Sequence, residues 1–306
     1  MSQRRVTLAL GGGGARGVAH LGVIEEVLRF GWDVGRVLGI SIGSLAGAMY
    51  AFDPEIDVVQ RRALDFLLSP DFESKQRDLI RARPGDATPE GLFGWYHNVV
   101  DYLQAHQKLT RAITRRSLLP GVLLEEVCSH LLPDADIADA EIPLGIVAVD
   151  LHTGEPVVLE RGPLRIAVQA SASLPGIFPP VELDGQLLCD LGVIASLPAR
   201  IARKIGPSPI IAVDVASRLK PANCVTALDV LMRMIEIGEW MFREELSAAA
   251  DVLIEPDVGD IHWADFSRSE SLIEIGREAA RKVLPDFHPH NPWYRRIWPP
   301  GRFASR

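Results

Sequence analysis

A short, largely apolar segment, Val6-Thr7-Leu8-Ala9-Leu10, runs directly into four consecutive glycines, Gly11 to Gly14, and then into Ala15-Arg16-Gly17. A run this apolar reads as a buried strand. Val18, Leu21, Val23, Ile24, Val27 and Leu28 then recur at helical spacing up to Phe30. The chain therefore starts with a strand, a glycine loop and a helix. A second strand, Gly35-Arg36-Val37-Leu38-Gly39-Ile40, ends at Ser41, and the small-residue stretch Ser44 to Phe52 resumes as a helix able to pack closely on a sheet. Glycines at such junctions let the backbone turn sharply and be approached closely, which no residue with a Cβ does as readily.

Further strands are expected at Leu144 to Val149, Pro156 to Glu160, Gln186 to Cys189, Ile210 to Val215 and Asp251 to Ile254, with helices between most of them. Alternation of this kind predicts an α/β fold: three layers, α/β/α, with a mostly parallel central sheet and functional residues at the carboxyl ends of strands. Ser41 and Asp190 would share that edge. Between about 70 and 119 the pattern changes to a basic and aromatic mixture with Arg77, Arg81, Trp95 and Tyr96, read as a helical cap inserted into the core. Leu228, Val230, Leu231, Met234, Ile235, Ile237 and Met241 predict a long amphipathic helix within a helical carboxyl-terminal region. One domain over residues 1–286 and an irregular tail over 287–306 complete the organisation.

The 306 residues are 47% apolar, ample for a buried core, and the formal net charge is −8. That balance argues against nucleic acid as a partner, because neutralising phosphates needs a concentrated basic surface. Cys128, Cys189 and Cys224 are an odd number at wide spacing, which fits neither a disulfide framework nor a zinc site and favours a cytoplasmic location. The segment behind Arg4-Arg5 is too short for a signal-peptide core. No apolar stretch reaches the roughly 18 to 20 residues of a membrane span. No metal is expected from any His/Cys/Asp/Glu spacing, and no cofactor. The tail combines Trp293, Tyr294 and Trp298 with Arg295, Arg296, Arg302 and Arg306. Its favoured reading is an irregular segment packed on its own domain, and the alternative is peripheral contact with a lipid headgroup layer. The sequence sets no oligomeric state.

The chemistry is carried by three elements in order. Gly39-Ile40-Ser41-Ile42-Gly43 is a G-x-S-x-G turn that holds a serine out at a strand-to-helix junction, with Gly39 and Gly43 absorbing the crowding. The loop Gly12, Gly13, Gly14, Ala15, Arg16 and Gly17 supplies backbone N–H groups for a developing negative charge. It is not a dinucleotide fingerprint, since the second strand ends in Leu38-Gly39-Ile40-Ser41 rather than in an acid, and no Gly-Lys-Ser/Thr follows for a P-loop. Third, Leu187-Leu188-Cys189-Asp190-Leu191-Gly192 puts a carboxylate at a strand end, downstream of Ser171-Ala172-Ser173-Leu174-Pro175-Gly176-Ile177-Phe178-Pro179-Pro180. A serine hydroxyl becomes nucleophilic when something takes its proton, and an aspartate whose pKa burial has raised can do so.

These motifs together resemble the patatin-like phospholipase family over about Val6 to Pro198. The resemblance implies a Ser41–Asp190 dyad, an oxyanion loop at Gly12 to Gly17, and a lipid or acyl-ester substrate cleaved through an acyl-enzyme. The family's usual glycine after the aspartate is here Leu191, with Gly192 next. The block Ser171 to Pro180 is expected to shape the pocket wall. Asp190 has a second reading, as a turn-forming carboxylate. Arg16 stands open between reaching outward to a phosphate and pairing with an acid of the first helix, and His20 is expected to be a hydrogen-bonded packing residue. Two rival functions remain: a Ser-Asp-His triad esterase using His262, and a catalytically silent lipid-binding or regulatory protein of the same fold.

Overall fold

The structure is a computed structural model. It describes residues 5–81, 117, 119–205, 209–216, 219, 221, 224, 227–259 and 261–287. Strands β1 (Arg5–Leu10), β2 (Asp33–Ile40), β3 (Leu144–Asp150), β4 (Pro156–Leu159), β5 (Val181–Leu183), β6 (Gln186–Cys189), β7 (Ile210–Val213) and β8 (Val252–Ile254) form one sheet in the order β5-β6-β3-β2-β1-β7-β8, with β4 also on β3. Pairing is parallel from β3 through β2, β1 and β7 to β8, and antiparallel where β3 meets β4 and β6 and where β5 meets β6.

Helices α1 (Ala19–Arg29), α2 (Ile42–Phe52), α3 (Ile56–Leu67), α4 (Pro70–Arg81), α5 (Val122–Leu131), α6 (Leu164–Ser171), α7 (Ala199–Ile205), α8 (Ala227–Ser247) and α9 (Ser269–Val283) flank it. Alternation along the strands sorts the core into two layers. Leu8, Leu10, Val37, Ile211 and Val213 join the larger cluster with α1, α2, α3 and α9, while Ala9, Leu38, Ile40, Ile210 and Ala212 face Ala199, Ala202 and Leu246 on the other side. The three-layer α/β/α expectation holds.

Several boundaries differ from the sequence reading, each for a local reason. The strand-like start of β2 reaches back to Asp33, which pairs with Arg5 of β1. The predicted helix from Gly17 divides into a 3-10 turn, Gly14–Val18, and α1, because the glycine loop tightens before the helix settles. Strand β7 stops at Val213, two residues early: Asp214 and Val215 leave the sheet to wrap the glycine loop, where a Cβ on Gly13 would lie 2.9 Å from Val215 O. Strand β5 was not anticipated. Its signal was Asp184-Gly185, whose positive φ values of 49° and 79° make the two-residue hairpin to β6.

Helix α9 packs against α1 with almost no side chain between the backbones. A Cβ on Gly22 or on Gly276 would overlap the main chain of the other helix. Arg277 and Arg281 of α9 pair with Glu25 and Glu26 of α1, at 2.7 and 2.8 Å. Of the expected cap over 70–119, α4 is helical as read, while 82–116 and 118 lie outside the described residues. Of the tail, Phe287 stacks near Trp32 with ring centroids 4.8 Å apart, and 288–306 lie outside the described residues.

Candidate active site

Ser41 occupies the turn between β2 and α2 with φ 55° and ψ −126°, a left-handed backbone that a non-glycine residue adopts only when its surroundings impose it. The surroundings are visible. A Cβ on Gly39 would overlap Gly43 and Ser44, and one on Gly43 would overlap the Leu10 carbonyl. The turn is therefore wedged between α2 and the end of β1, and both motif glycines are required by close approach. Ser41 N–H donates to Ser171 Oγ at 2.9 Å, and Ser171 Oγ–H donates to Val147 O at 2.6 Å, tying the serine's backbone to β3.

Asp190 follows β6 and is 1% exposed. Its N–H donates to Ser173 O at 3.0 Å, so the two ends of Ser171-Ala172-Ser173 hold Ser41 and Asp190 respectively. The block expected only to shape the pocket wall thus fixes both backbones. Asp190 Oδ1 accepts Gly192 N–H at 2.6 Å, which realises the turn-forming role, while Oδ2 is buried with no formed hydrogen bond. Burial pushes the carboxyl up to about 7, and the nearby Ser41 hydroxyl and Gly192 N–H draw it down in part. Ser41 and Asp190 are thereby brought within each other's influence. Leu191 packs into the second core cluster and does not have a left-handed backbone, so no glycine is needed there. Gly192 does the closer work, since a Cβ on it would sit 2.8 Å from Asp190 Oδ1.

The glycine loop is held from behind and open in front. Gly11 N–H donates to Val213 O, Gly12 N–H to Ser196 O, and Ala15 N–H to Trp263 O. Gly13 and Gly14 N–H have no backbone acceptor among the described residues. Both glycines also line the cavity in front of the loop. Arg16 Nε donates to Gly13 O at 2.9 Å. Because a trans peptide points its C=O and N–H in opposite directions, pulling Gly13 O toward Arg16 turns Gly14 N–H the other way.

Arg16 is 2% exposed and takes neither of the two roles expected of it. It lies inward, with Asp214, Glu239 and Arg243 as its charged neighbours, and burial lowers its pKa to about 10. The acids of α1 are engaged by α9 instead. Arg243 pairs with Asp214, Ser196 Oγ donates to Glu239, and Arg243 Nη2 donates to Ala216 O at 3.1 Å. This buried network was missed because its members lie far apart in sequence. His20 is as expected: Nε2 donates to Gly11 O at 2.8 Å, since a carbonyl can only accept, and burial lowers the ring's pKa to about 4, which keeps it neutral.

In front of the loop lies a cavity of about 150 Å³. Its floor carries Gly12, Gly13, Gly14, Ser41, Asp190 and Gly192, and its walls are apolar side chains of α1 to α5, among them Leu21, Leu45, Met49, Leu67 and Phe72. His262 does not line it, and its Nδ1 accepts Ala264 N–H at 3.3 Å. Among the described residues no group of three His/Cys/Asp/Glu is disposed to hold a metal ion, and no helix is long and apolar enough to cross a membrane. Asp136 caps the short turn Ile137–Asp139.

A serine at a strained strand-to-helix turn, a buried carboxyl and a glycine loop meet at the floor of one apolar cavity. The sequence profile of the patatin-like phospholipase family matches residues 8–203, and the chain belongs to that family. It is 32% identical over 258 residues to patatin-like phospholipase domain-containing protein 6 of Homo sapiens, covering 84% of this chain and 16% of that protein. It is 28% identical over 308 residues to an uncharacterized NTE family protein of Mycobacterium tuberculosis, covering 92% of this chain and 46% of the relative. The chain thus spans less than half the length of either relative. The crystal structure of VipD from Legionella pneumophila aligns with a TM-score of 0.43 at 13% identity, over 93% of this chain and 67% of that one.

Proposed function

We propose that the protein is a serine acyl-ester hydrolase acting on lipids, with Ser41 as nucleophile and Asp190 as its base. Ionised Asp190 takes the proton from Ser41 Oγ as the oxygen attacks the ester carbonyl. The carbonyl oxygen gains negative charge and is stabilised by Gly13 and Gly14 N–H. Asp190 returns its proton to the departing alcohol, leaving Ser41 acylated. A water molecule then attacks the acyl-enzyme, giving a proton to Asp190, which passes it to the departing Ser41 Oγ as the fatty acid is released. The apolar walls suit an acyl chain, and family membership supports a lipid donor.

The observation that carries this reading is the buried Asp190 carboxyl, held near neutrality beside an elbow serine. A carboxyl near 7 can both accept and return a proton at neutral pH. The test is a fluorophosphonate probe followed by mass spectrometry of lipids before and after incubation. Wild type is expected to label and Ser41→Ala is not. Absence of labelling in folded wild type would favour the silent lipid-binding protein, a reading that Asp190 Oδ2, without a formed hydrogen bond, keeps in play. Loss of turnover in His262→Ala with retention in Asp190→Asn would favour the triad.

A further inference from the structure

Helix α8 is inverted. Half of the large apolar side chains that are exposed among the described residues belong to it: Val230, Met234, Ile235, Trp240, Met241 and Phe242, the two methionines 60% and 63% exposed. Its charged side chains from Arg233 to Arg243 are buried or half-buried instead. Glu239 and Arg243 are buried in the network behind the glycine loop, and Arg233 pairs with Glu236 at 2.8 Å in a half-buried position. A water-facing helix has the opposite arrangement, and an exposed apolar patch of this kind marks a surface that something covers.

The geometry decides between occupants. At about 100° per residue, the exposed apolar positions from Trp240 round to Ile235 sweep an arc of about 220°, whereas the seam of a helix paired with a second copy needs only about 100°. A fluid apolar phase can surround so wide an arc. The stretch from Val230 to Phe242 is about 19 Å long at 1.5 Å per residue, too short to cross a hydrocarbon core of about 30 Å but suited to lying along its boundary. Among the described residues the patch carries no free cation: Arg233 and Arg243 are paired, and the exposed carboxylates Glu244 and Glu245 follow directly. Trp240 sits at its edge, with the Arg243 guanidinium 5.3 Å from the ring centroid. Helix α8 packs on the 3-10 turn Leu191–Val193, in which Val193 lines the cavity, and the next residue, Ile194, is 51% exposed.

We propose that the outer face of α8 docks the protein on an uncharged, zwitterionic lipid surface, beside the cavity that receives the acyl chain. The choice of lipid as partner rests on the hydrolase reading above. Docking holds α8 with its apolar arc in the headgroup and acyl boundary while Glu239 and Arg243 stay on the glycine loop.

The test is co-sedimentation of the full chain with phosphatidylcholine vesicles, comparing wild type with the double variant Met234→Glu, Met241→Glu. Both side chains are exposed and lie outside the catalytic machinery, so the variant is expected to keep its melting temperature and its turnover of a soluble short-chain ester. Its vesicle affinity is expected to fall at least about 10-fold, and hydrolysis of vesicle lipid with it. Wild-type binding should not rise when phosphatidylserine is added. Wild type remaining in the supernatant would overturn the proposal. So would binding that requires phosphatidylserine and vanishes in salt, or a wild-type dimer that the double variant dissociates without any vesicle binding. Vesicle binding by a wild type that hydrolyses nothing would sink the hydrolase reading and leave this surface standing.

Discussion

The two sides of the glycine loop are built from opposite materials. In front, Gly13 and Gly14 open onto an apolar cavity in which Ser41 and Asp190 provide the polar side chains nearest the loop. Behind, the same loop rests on a buried cluster of two arginines and two acids, Arg16, Arg243, Asp214 and Glu239, and on the carbonyls of Val213 and Ser196. The difference is one of purpose. An amide that is to stabilise a transient charge must be left without a partner, and a loop of unpartnered amides keeps its shape only when its other polar groups are held firmly. The front is therefore expected to set rate and substrate, and the back to set stability and the direction in which the amides point.

The largest test of that division is at the front. Ser41→Ala and Asp190→Asn are expected to lower kcat/KM for a short-chain ester by on the order of 10⁴-fold while leaving the fold intact, as measured by turnover and by thermal unfolding. A comparable loss of stability in either variant would break the comparison.

The next test is at the back. Arg16→Met removes a buried cation that has Asp214 and Glu239 as charged neighbours and frees Gly13 O, and breaking a buried charge network costs about 3–5 kcal/mol. Chemical denaturation is expected to show that loss, and the fraction that stays folded is expected to have a lower kcat with little change in KM. A stable, fully active Arg16→Met protein would show that the rear network holds nothing.

The pH response sharpens the comparison. With the Asp190 carboxyl at about 7, kcat/KM is expected to rise about tenfold per pH unit below that value and to level off above it, because the ionised form is the base. The stability effect has the opposite sign. A carboxyl raised from its ordinary value of about 3.9 binds protons more tightly in the folded state, so between about pH 4 and 7 it contributes stability that is lost as pH rises, at up to about 1.4 kcal/mol per unit. His20, lowered to about 4 by burial, works in reverse: its contribution is lost as pH falls from about 6.5 toward 4. The two slopes oppose in wild type. Asp190→Asn removes the opposing Asp190 slope, so that variant is expected to lose more stability than wild type on acidification in denaturant titrations at pH 6.5, 5.5 and 4.5.

The smallest expected effect concerns the walls. Ala46→Leu adds bulk to the cavity beside Leu45 and Met49, and is expected to raise KM for a long-chain ester about tenfold while sparing a short-chain one. Equal effects on both esters would place the change outside the acyl-binding space.

Much of the front was legible in the sequence, since each part of it is local. Gly39 and Gly43 around Ser41, and the glycine run after β1, mark their turns by residue type within a few positions. Asp190 was legible as a carboxylate at a strand end, although nothing local told that Ser171 and Ser173 would hold both catalytic candidates. The Asp184-Gly185 pair carries a local signal for its hairpin too.

What the sequence by itself determined is therefore the order of strands and helices, the sharp turns, and the residue types available at them, because backbone sterics and hydrophobic periodicity act over short stretches of chain. The tertiary structure alone decided which amides stay free, how far burial raises the Asp190 carboxyl, where Arg16 points, and that Glu239 and Arg243 of α8 turn inward. Each of those depends on desolvation and on partners a hundred or more residues away, such as Glu239 and Arg243 behind Gly13. Burial and long-range pairing exist only once the chain has closed on itself.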